Sequence, residues 1–407
     1  MKFLYQISLF FYSLLVKIAS LFNHKAKLWV KGRKNTFAYL KTHLSPDDEI
    51  CWFHCASLGE FEQGKPLMEK IKQTHPHKKI LVTFFSPSGY EYRKNSPLAD
   101  FVCYLPNDNA KNARKFIRLV RPKQAYFVKY EFWYFYLKEL YNTNIPTYLI
   151  AGVFRPNQPF FKWYGAFHQQ MLGFFTHFFL QNKASEELLQ GIGFTNTTTS
   201  GDTRIDQVFD NSQSPKQLSL IERFTQNNPT IILGSSWEKE EEIISEYITT
   251  TDKKFQYIIA PHDISKSHIE HLKNMLTVPY LLYSEATSEN ILNHSILIID
   301  NIGMLANCYQ YTDIAFIGGG FSGALHNVLE PAAFGNAILF GDKINKFHEA
   351  QALIDAYAAF SISSLDDFIA VVNHLMMKEN MENTQNAAKK YIVENVGATD
   401  RIWKNLM

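Results

Sequence analysis

The sequence predicts an α/β protein: two Rossmann-like domains facing a cleft, preceded by an N-terminal membrane-associated helix. Three observations carry that expectation. Short β-rich runs alternate with helical runs after Asp47; a polar break near residue 210 is followed by a restart of the same pattern; and the first 22 residues are the most apolar of the chain. The chain has 407 residues, with 33 Phe, 21 Tyr and 6 Trp but only 19 Gly and 15 Pro. That composition excludes disordered and collagen-like chains and is long enough for two cores.

The N-terminus comes first in the order of elements. Phe3 to Phe22 would span about 30 Å as a helix, the thickness of a bilayer core. Gln6, Ser8, Ser13, Lys17 and Ser20 interrupt it, whereas Phe3, Ile7, Phe10, Phe11, Leu14, Ile18, Leu21 and Phe22 form one apolar stripe. Asn23-His24-Lys25 is a poor signal-peptidase site. Residues 1–46 hold eight Lys or Arg and no acid, although the whole chain has 41 bases against 39 acids. The positive charge is therefore concentrated beside the apolar helix, and the rest of the chain is net acidic. Two readings follow: an anchor (residues 1–34) on the cytoplasmic face of an anionic membrane, or a core helix with a solvated basic loop. Cys51, Cys55, Cys103 and Cys308 show no zinc or redox spacing and are expected to be reduced.

In the first domain (35–210), strands are expected at 49–54, 79–85, 101–105, 124–128, 147–153 and 175–181, with helices at 57–72, 110–121 and after Glu131. Asp210 to Gln217 reads as a linker. In the second domain (211–407), strands are expected at 230–234, 256–260, 295–300, 314–318 and 337–341, with helices at 239–249 and 265–275. A final helix over 386–405 is expected to pack back across the cleft.

In open parallel sheets ligands gather beyond the carboxyl ends of strands, so the loops there are the candidates. In Ala56-Ser57-Leu58-Gly59-Glu60, Glu60 falls in the first turn of a helix, where it either serves as a base for an alcohol or caps the helix. Ser86-Pro87-Ser88-Gly89 is an anion loop or a plain turn. Glu131, between aromatic neighbours at a strand end, either grips sugar hydroxyls or caps a helix. Gly318, Gly320 and Gly323 match the spacing of a dinucleotide fingerprint, with Asp342 after the next strand. Pro331 interrupts the helix that fingerprint requires. In the reading that fits better, N–H groups from Gly319 and Gly320 to Gly323 and of Asn327 receive a phosphate, and Glu330 accepts from ribose hydroxyls. Tight glycine packing is the third possibility.

Taken in order, these segments resemble one family. Trp52-Phe53-His54-Cys55-Ala56-Ser57-Leu58-Gly59-Glu60 is similar to W-x-H-A-S-x-G-E, Glu131-Phe132-Trp133 to E-L-W, and His326-Asn327-Val328-Leu329-Glu330-Pro331-Ala332 to H-N-x-L-E-P-A. These are motifs of the 3-deoxy-D-manno-octulosonic acid (Kdo) transferases of lipopolysaccharide biosynthesis, inverting glycosyltransferases of GT-B architecture. Thr83 to Gly89, Leu233 to Ser236, Ala260-Pro261-His262 and Asp300 to Met304 extend the resemblance across both domains.

The resemblance implies CMP-Kdo as donor, a lipid A precursor as acceptor, the inner-membrane surface as the place of action, and neither metal nor nucleic acid as partner. It puts Glu60 at the catalytic base position and Glu131 beside it. The CMP positions carry over to Pro261 and His262, to Ile302, Gly303 and Met304, and to Asn327, Val328, Leu329 and Glu330. The family commonly has Arg where His262 stands and an acid where Met304 stands; Arg204 replaces a frequent Lys. The alternatives are a GT-B enzyme using a UDP-sugar (such as lipid A disaccharide synthase), a dinucleotide-dependent oxidoreductase, and a non-catalytic membrane-tethered binding module.

Overall fold

The computed structural model describes residues 1–226 and 228–406. They form two compact units: Met1–Asp206 with the segment from Gly397 onward, and Gln207–Val396.

The first unit holds β1 (Ile50–Cys55), β2 (Lys79–Phe84), β3 (Phe101–Tyr104), β4 (Gln124–Val128), β5 (Thr147–Gly152), β6 (His177–Leu180) and β7 (Thr197–Thr199). They make one parallel sheet in the order β3-β2-β1-β4-β5-β6-β7. All six residues of β1 are buried, as a strand covered by helices on both faces requires. Strand order reverses between β1 and β4, so the loops leaving their carboxyl ends flank the crevice where such sheets bind ligands.

The second unit repeats the design with β8 (Thr230–Ser236), β9 (Gln256–Pro261), β10 (Tyr280–Leu282), β11 (Ile296–Ile298), β12 (Ile314–Ile317), β13 (Ala337–Gly341) and β14 (Ala359–Ile362). Its order is β10-β11-β9-β8-β12-β13-β14, again parallel, with the switch between β8 and β12. Two Rossmann-like units are the GT-B components that the sequence predicted.

Helix Lys2–Ala19 is long and apolar enough to cross a membrane, and none of it is buried. Its orientation is informative. Tyr5 and Ser13 face the first unit: the Tyr5 hydroxyl donates to Asp108 Oδ2 at 2.6 Å, and Asn107 Nδ2 donates to Ser13 Oγ at 3.0 Å. Phe3, Phe10, Phe11, Leu14, Ile18, Leu21 and Phe22 are exposed. The more polar side thus docks on protein and the apolar stripe faces outward, the reverse of a core helix. Helix His24–Lys34 is held more firmly, with Trp29 buried and Arg33 donating to Phe85 O at 2.6 Å and Leu105 O at 3.0 Å.

Three expectations need correction. Asp210 to Gln217 is not wholly a linker, because helix Thr203–Gln213 runs into it. The units divide at Asp206/Gln207, and the chain returns to the first unit at Gly397, so a cut at 210 followed by one continuous domain does not describe them. The last helix is two helices, Lys378–Asn395 and Ala398–Leu406. Gly397 breaks them with φ +94°, and the Asp206 carboxylate accepts from the N–H groups of Gly397, Ala398 and Thr399 at 2.7, 3.2 and 2.6 Å. An N-cap of this kind starts a new helix.

A Cβ on Gly318 would lie 2.0 Å from the Ser235 carbonyl oxygen, backbone against backbone. Gly318→Ala is expected to destabilise the second unit by about 1–3 kcal/mol, read as a lower urea midpoint; an unchanged midpoint contradicts the packing described.

Candidate active site

In the first unit the site starts from β1. His54, fully buried near its end, points one ring nitrogen each way: Nδ1 lies 2.9 Å from Thr83 Oγ1, and Nε2 lies 3.0 Å from Glu131 Oε2. The Trp52 indole donates to the same Thr83 hydroxyl at 2.8 Å, and the Trp133 indole donates to Glu131 Oε2 at 2.7 Å. Glu131 is therefore a nearly buried carboxylate held between two ring nitrogens, one from β1 and one from its own loop. Lys129, two residues earlier, has φ +69°, a strained turn that aims the loop as it leaves β4.

The Glu131 loop also meets the N-terminal helices. Trp133 stacks on Phe85 with centroids 4.9 Å apart, and Phe85 in turn contacts Tyr12 and Trp29. Arg33 lies 3.7 Å over the Trp29 ring. Burial lowers the Arg33 guanidinium to about 9. Asp108, bonded to Tyr5, accepts from the N–H groups of Phe135 and Tyr136 at 3.1 and 3.2 Å, which caps the helix after Trp133. Burial pushes the Asp108 carboxyl up to about 6 despite these donors.

Glu60 opens helix Leu58–Thr74, and its Oε2 accepts from the Ser57 N–H at 2.9 Å and closely from the Ser57 hydroxyl. The capping reading is thus realised through one carboxylate oxygen. Glu60 and Glu131 share a neighbourhood: burial drives the Cys55 thiol well above its usual range, and both carboxylates push it further. Behind the loop, a Cβ on Gly89 would meet the Ser57 carbonyl carbon at 2.9 Å: Ser86 to Gly89, expected as an anion loop or a plain turn, instead opens helix Pro87–Arg93, which packs directly on Ser57.

In the second unit the loops after β8, β9 and β12 meet in a stack of rings. Trp237 lies parallel to His262 at 4.8 Å, His262 lies 4.6 Å from His326, and the Trp237 indole donates to His326 Nε2 at 3.0 Å. Beneath them Glu240, buried at the start of helix Glu238–Thr250, accepts from Gly319 N–H at 2.9 Å and Trp237 N–H at 3.1 Å. Burial raises the Glu240 carboxyl against the pull of those donors. Glu241 is fully buried too, with Oε1 2.8 Å from the Ser236 hydroxyl and 3.1 Å from His268 Nε2. Asn327 Nδ2 donates to Glu330 at 3.1 Å, and Glu330 lines a cavity of about 210 Å³ with Ala306 and Asn307. Among the described residues, no three His, Cys, Asp or Glu side chains are grouped to hold a metal ion.

Comparison with known proteins gives this geometry its relatives. Residues 31–207 match the family described as 3-deoxy-D-manno-octulosonic-acid transferase (kdotransferase). The 3-deoxy-D-manno-octulosonic acid transferase of Rickettsia bellii is 26% identical over 383 residues, covering 90% of this chain and 89% of its own. The chain is thus similar to curated Kdo transferases over about nine-tenths of its length, and the matched family segment lies in its first unit. The Kdo transferase of Haemophilus influenzae is likewise 26% identical, over 88% of this chain and 86% of its own. In fold, the chain is similar to UDP-GlcNAc 2-epimerase of Neisseria meningitidis, with a TM-score of 0.62 and 15% identity over 88% of this chain and 99% of that one. The transferase relatives indicate a glycosyltransferase, and Glu60 and Glu131 both lie within the matched segment.

The structure brings Glu60 and Glu131 to the switch point of the first sheet. It sets Pro261, His262 and the Asn327–Glu330 segment at the carboxyl ends of β9 and β12. Ile302 and Gly303 are exposed beyond β11, while Met304 is buried at the start of helix Leu305–Cys308. Gly319 departs from its expected phosphate role, because its N–H is donated to Glu240. Gly320 packs too, since a Cβ there would lie 2.4 Å from Gly341 N. Trp237, Glu240 and Glu241 were missed: Trp237-Glu-Lys-Glu-Glu-Glu reads as a solvated acidic helix start. The available signal was a glutamate at the third helical position after a strand, the spacing already seen at Ser57 and Glu60.

Burial, reinforced by His262, lowers His326 from 6.5 to about 4. The unfolded chain therefore binds a proton between those values that the folded chain does not, so stability falls as pH drops from about 6.5 to about 4. In thermal melts of wild type and His326→Gln across that range, the variant is expected to show a shallower decline; parallel curves contradict the assignment.

Proposed function

We propose that this enzyme transfers Kdo from CMP-Kdo to a lipid A precursor, with inversion at the anomeric carbon, on the cytoplasmic face of a bacterial inner membrane. The observation that carries the reading is the pair Glu60 and Glu131 at the carboxyl ends of adjacent parallel strands, inside the segment matching the Kdo transferase family.

The first unit takes the acceptor and the second the donor. Glu60 is the base. With Oε2 held by Ser57, the carboxylate is fixed and Oε1 is left to receive the proton of the acceptor hydroxyl. As that proton moves, the acceptor oxygen bonds to the anomeric carbon of Kdo. The bond from that carbon to the CMP phosphate oxygen breaks, and CMP leaves with the electron pair. Glu131, fixed by His54 and Trp133, orients the acceptor sugar through hydrogen bonds. CMP is held by Pro261 and His262, by the loop Ile302-Gly303-Met304 and by Asn327 to Glu330. The ring stack of Trp237, His262 and His326 supports a nucleotide site there, because it fixes the neighbouring loops in place before ligand arrives. The outward apolar stripe of helix Lys2–Ala19 supports membrane attachment beside the acceptor unit.

Glu60→Gln keeps an oxygen acceptor for Ser57 while removing the base. It is expected to lower transfer by about 10²–10⁴-fold and leave CMP affinity, read by calorimetry, unchanged. Wild-type turnover in the variant contradicts Glu60 as base; binding of UDP in place of CMP contradicts the donor.

A further inference from the structure

One cavity of the first unit lies away from Glu60 and Glu131. It is a groove of about 920 Å³ between helix Thr36–His43 and helix Ala110–Val120. The first helix contributes Phe37 and Lys41; the second contributes Lys111, Arg114, Lys115 and Arg118. These four follow helical spacing on the exposed side, while Ala113, Phe116, Ile117 and Val120 fill the core on the other. The floor is apolar, with Ala38, Ala110 and Leu119 beside Phe37. Lys115 Nζ lies 4.2 Å over the Phe37 ring. Among the described residues, none of the five cations has a carboxylate partner.

Its position narrows what such a groove would take. Asn109 caps the basic helix through the Asn112 N–H at 2.9 Å, and two residues earlier Asn107 is bonded to Ser13 of helix Lys2–Ala19. The groove thus begins beside a helix whose apolar stripe faces outward. Unpaired cations around an apolar floor suit a ligand that is anionic at one end and hydrocarbon at the other.

We propose that this groove is a binding site for the phosphate headgroup of an anionic phospholipid, with the upper part of an acyl chain on the Phe37 and Leu119 floor. It is separate from the sugar-transfer site and does not depend on the identity of donor or acceptor. The helix Lys2–Ala19 supplies hydrophobic attachment to any bilayer, and the groove makes that attachment selective for anionic lipid.

The test uses the full-length protein and two vesicle types, phosphatidylcholine alone and phosphatidylcholine with phosphatidylglycerol. Wild type is expected to bind the anionic vesicles more tightly, with a preference that weakens in salt. The variant Lys111→Gln/Arg114→Gln/Lys115→Gln/Arg118→Gln is expected to lose at least about tenfold of that preference and to bind pure phosphatidylcholine as wild type does. Lys115→Glu alone shifts binding in the same direction and guards against a folding defect in the multiple variant. An unchanged preference overturns the proposal. So does release of wild type from the vesicles by inorganic phosphate at matched ionic strength, which assigns the groove to a free anion. Capture of a soluble polyglutamate peptide by the groove, with no vesicle preference, overturns it in favour of an acidic protein partner.

Discussion

A nearly buried carboxylate at the switch point of a parallel sheet needs hydrogen-bond donors, and that need organises the first unit. Glu131 meets it with one imidazole and one indole, both on the same oxygen. Leaving such a buried group without a hydrogen-bond partner costs about 1–3 kcal/mol, so the donors are as constrained as the acid. His54 is fixed by Thr83, Thr83 is also bonded by Trp52, and the three residues come from β1 and β2. Trp133, the other donor, is held by stacking on Phe85, and Phe85 packs under Tyr12, Trp29 and Arg33. The N-terminal helices are consequently part of the site's support. Helix Lys2–Ala19 is connected to the Glu131 loop through Tyr5 and Asp108 as well as through this aromatic stack.

The second unit meets the same constraint with different residues. Glu240 and Glu241 are buried side by side at one helix start, and Gly319 supplies an N–H that only a close backbone approach makes available. The glycines after β12 look like a phosphate cradle in sequence. In the fold they let that loop lie against β8 and β13, with Gly319 at φ +84°. The loop is thereby held rigid beneath His326 and Asn327, and the ring stack above it is built on a fixed base.

The central strands were legible because each is a run of three to seven mostly buried apolar or aromatic residues between turn signals. Strands β7, β10 and β14 were not: each is an edge strand of three or four residues with a single neighbour, and β3, the fourth edge strand, was legible only through its apolar run Phe101-Val102-Cys103-Tyr104. Thr197–Thr199 is not apolar at all, and a short edge strand is placed by its partner and not by its own pattern. The long final helix was misread because Ile392 and Ile402 keep a helical rhythm across the break. The decisive Gly397 needs a cap from Asp206, nearly two hundred residues away. Glu60 was visible as either base or cap, and the structure shows why one residue supports both readings: capping engages one oxygen and leaves the other. Glu240 was hidden by its charged neighbours, since nothing local distinguishes a buried glutamate from a solvated one in an acidic run.

Similarity to the Kdo transferases, the paired carboxylates and the outward apolar helix all support the proposal of a membrane-attached sugar transferase, and one assay reads that proposal directly. Full-length protein in liposomes is incubated with CMP-Kdo and a lipid A precursor, and the lipid product is weighed by mass spectrometry. The account predicts a product heavier than the precursor by one or more Kdo residues, with CMP released in step. Unmodified precursor, in a preparation that converts it when given a UDP-sugar, would contradict it.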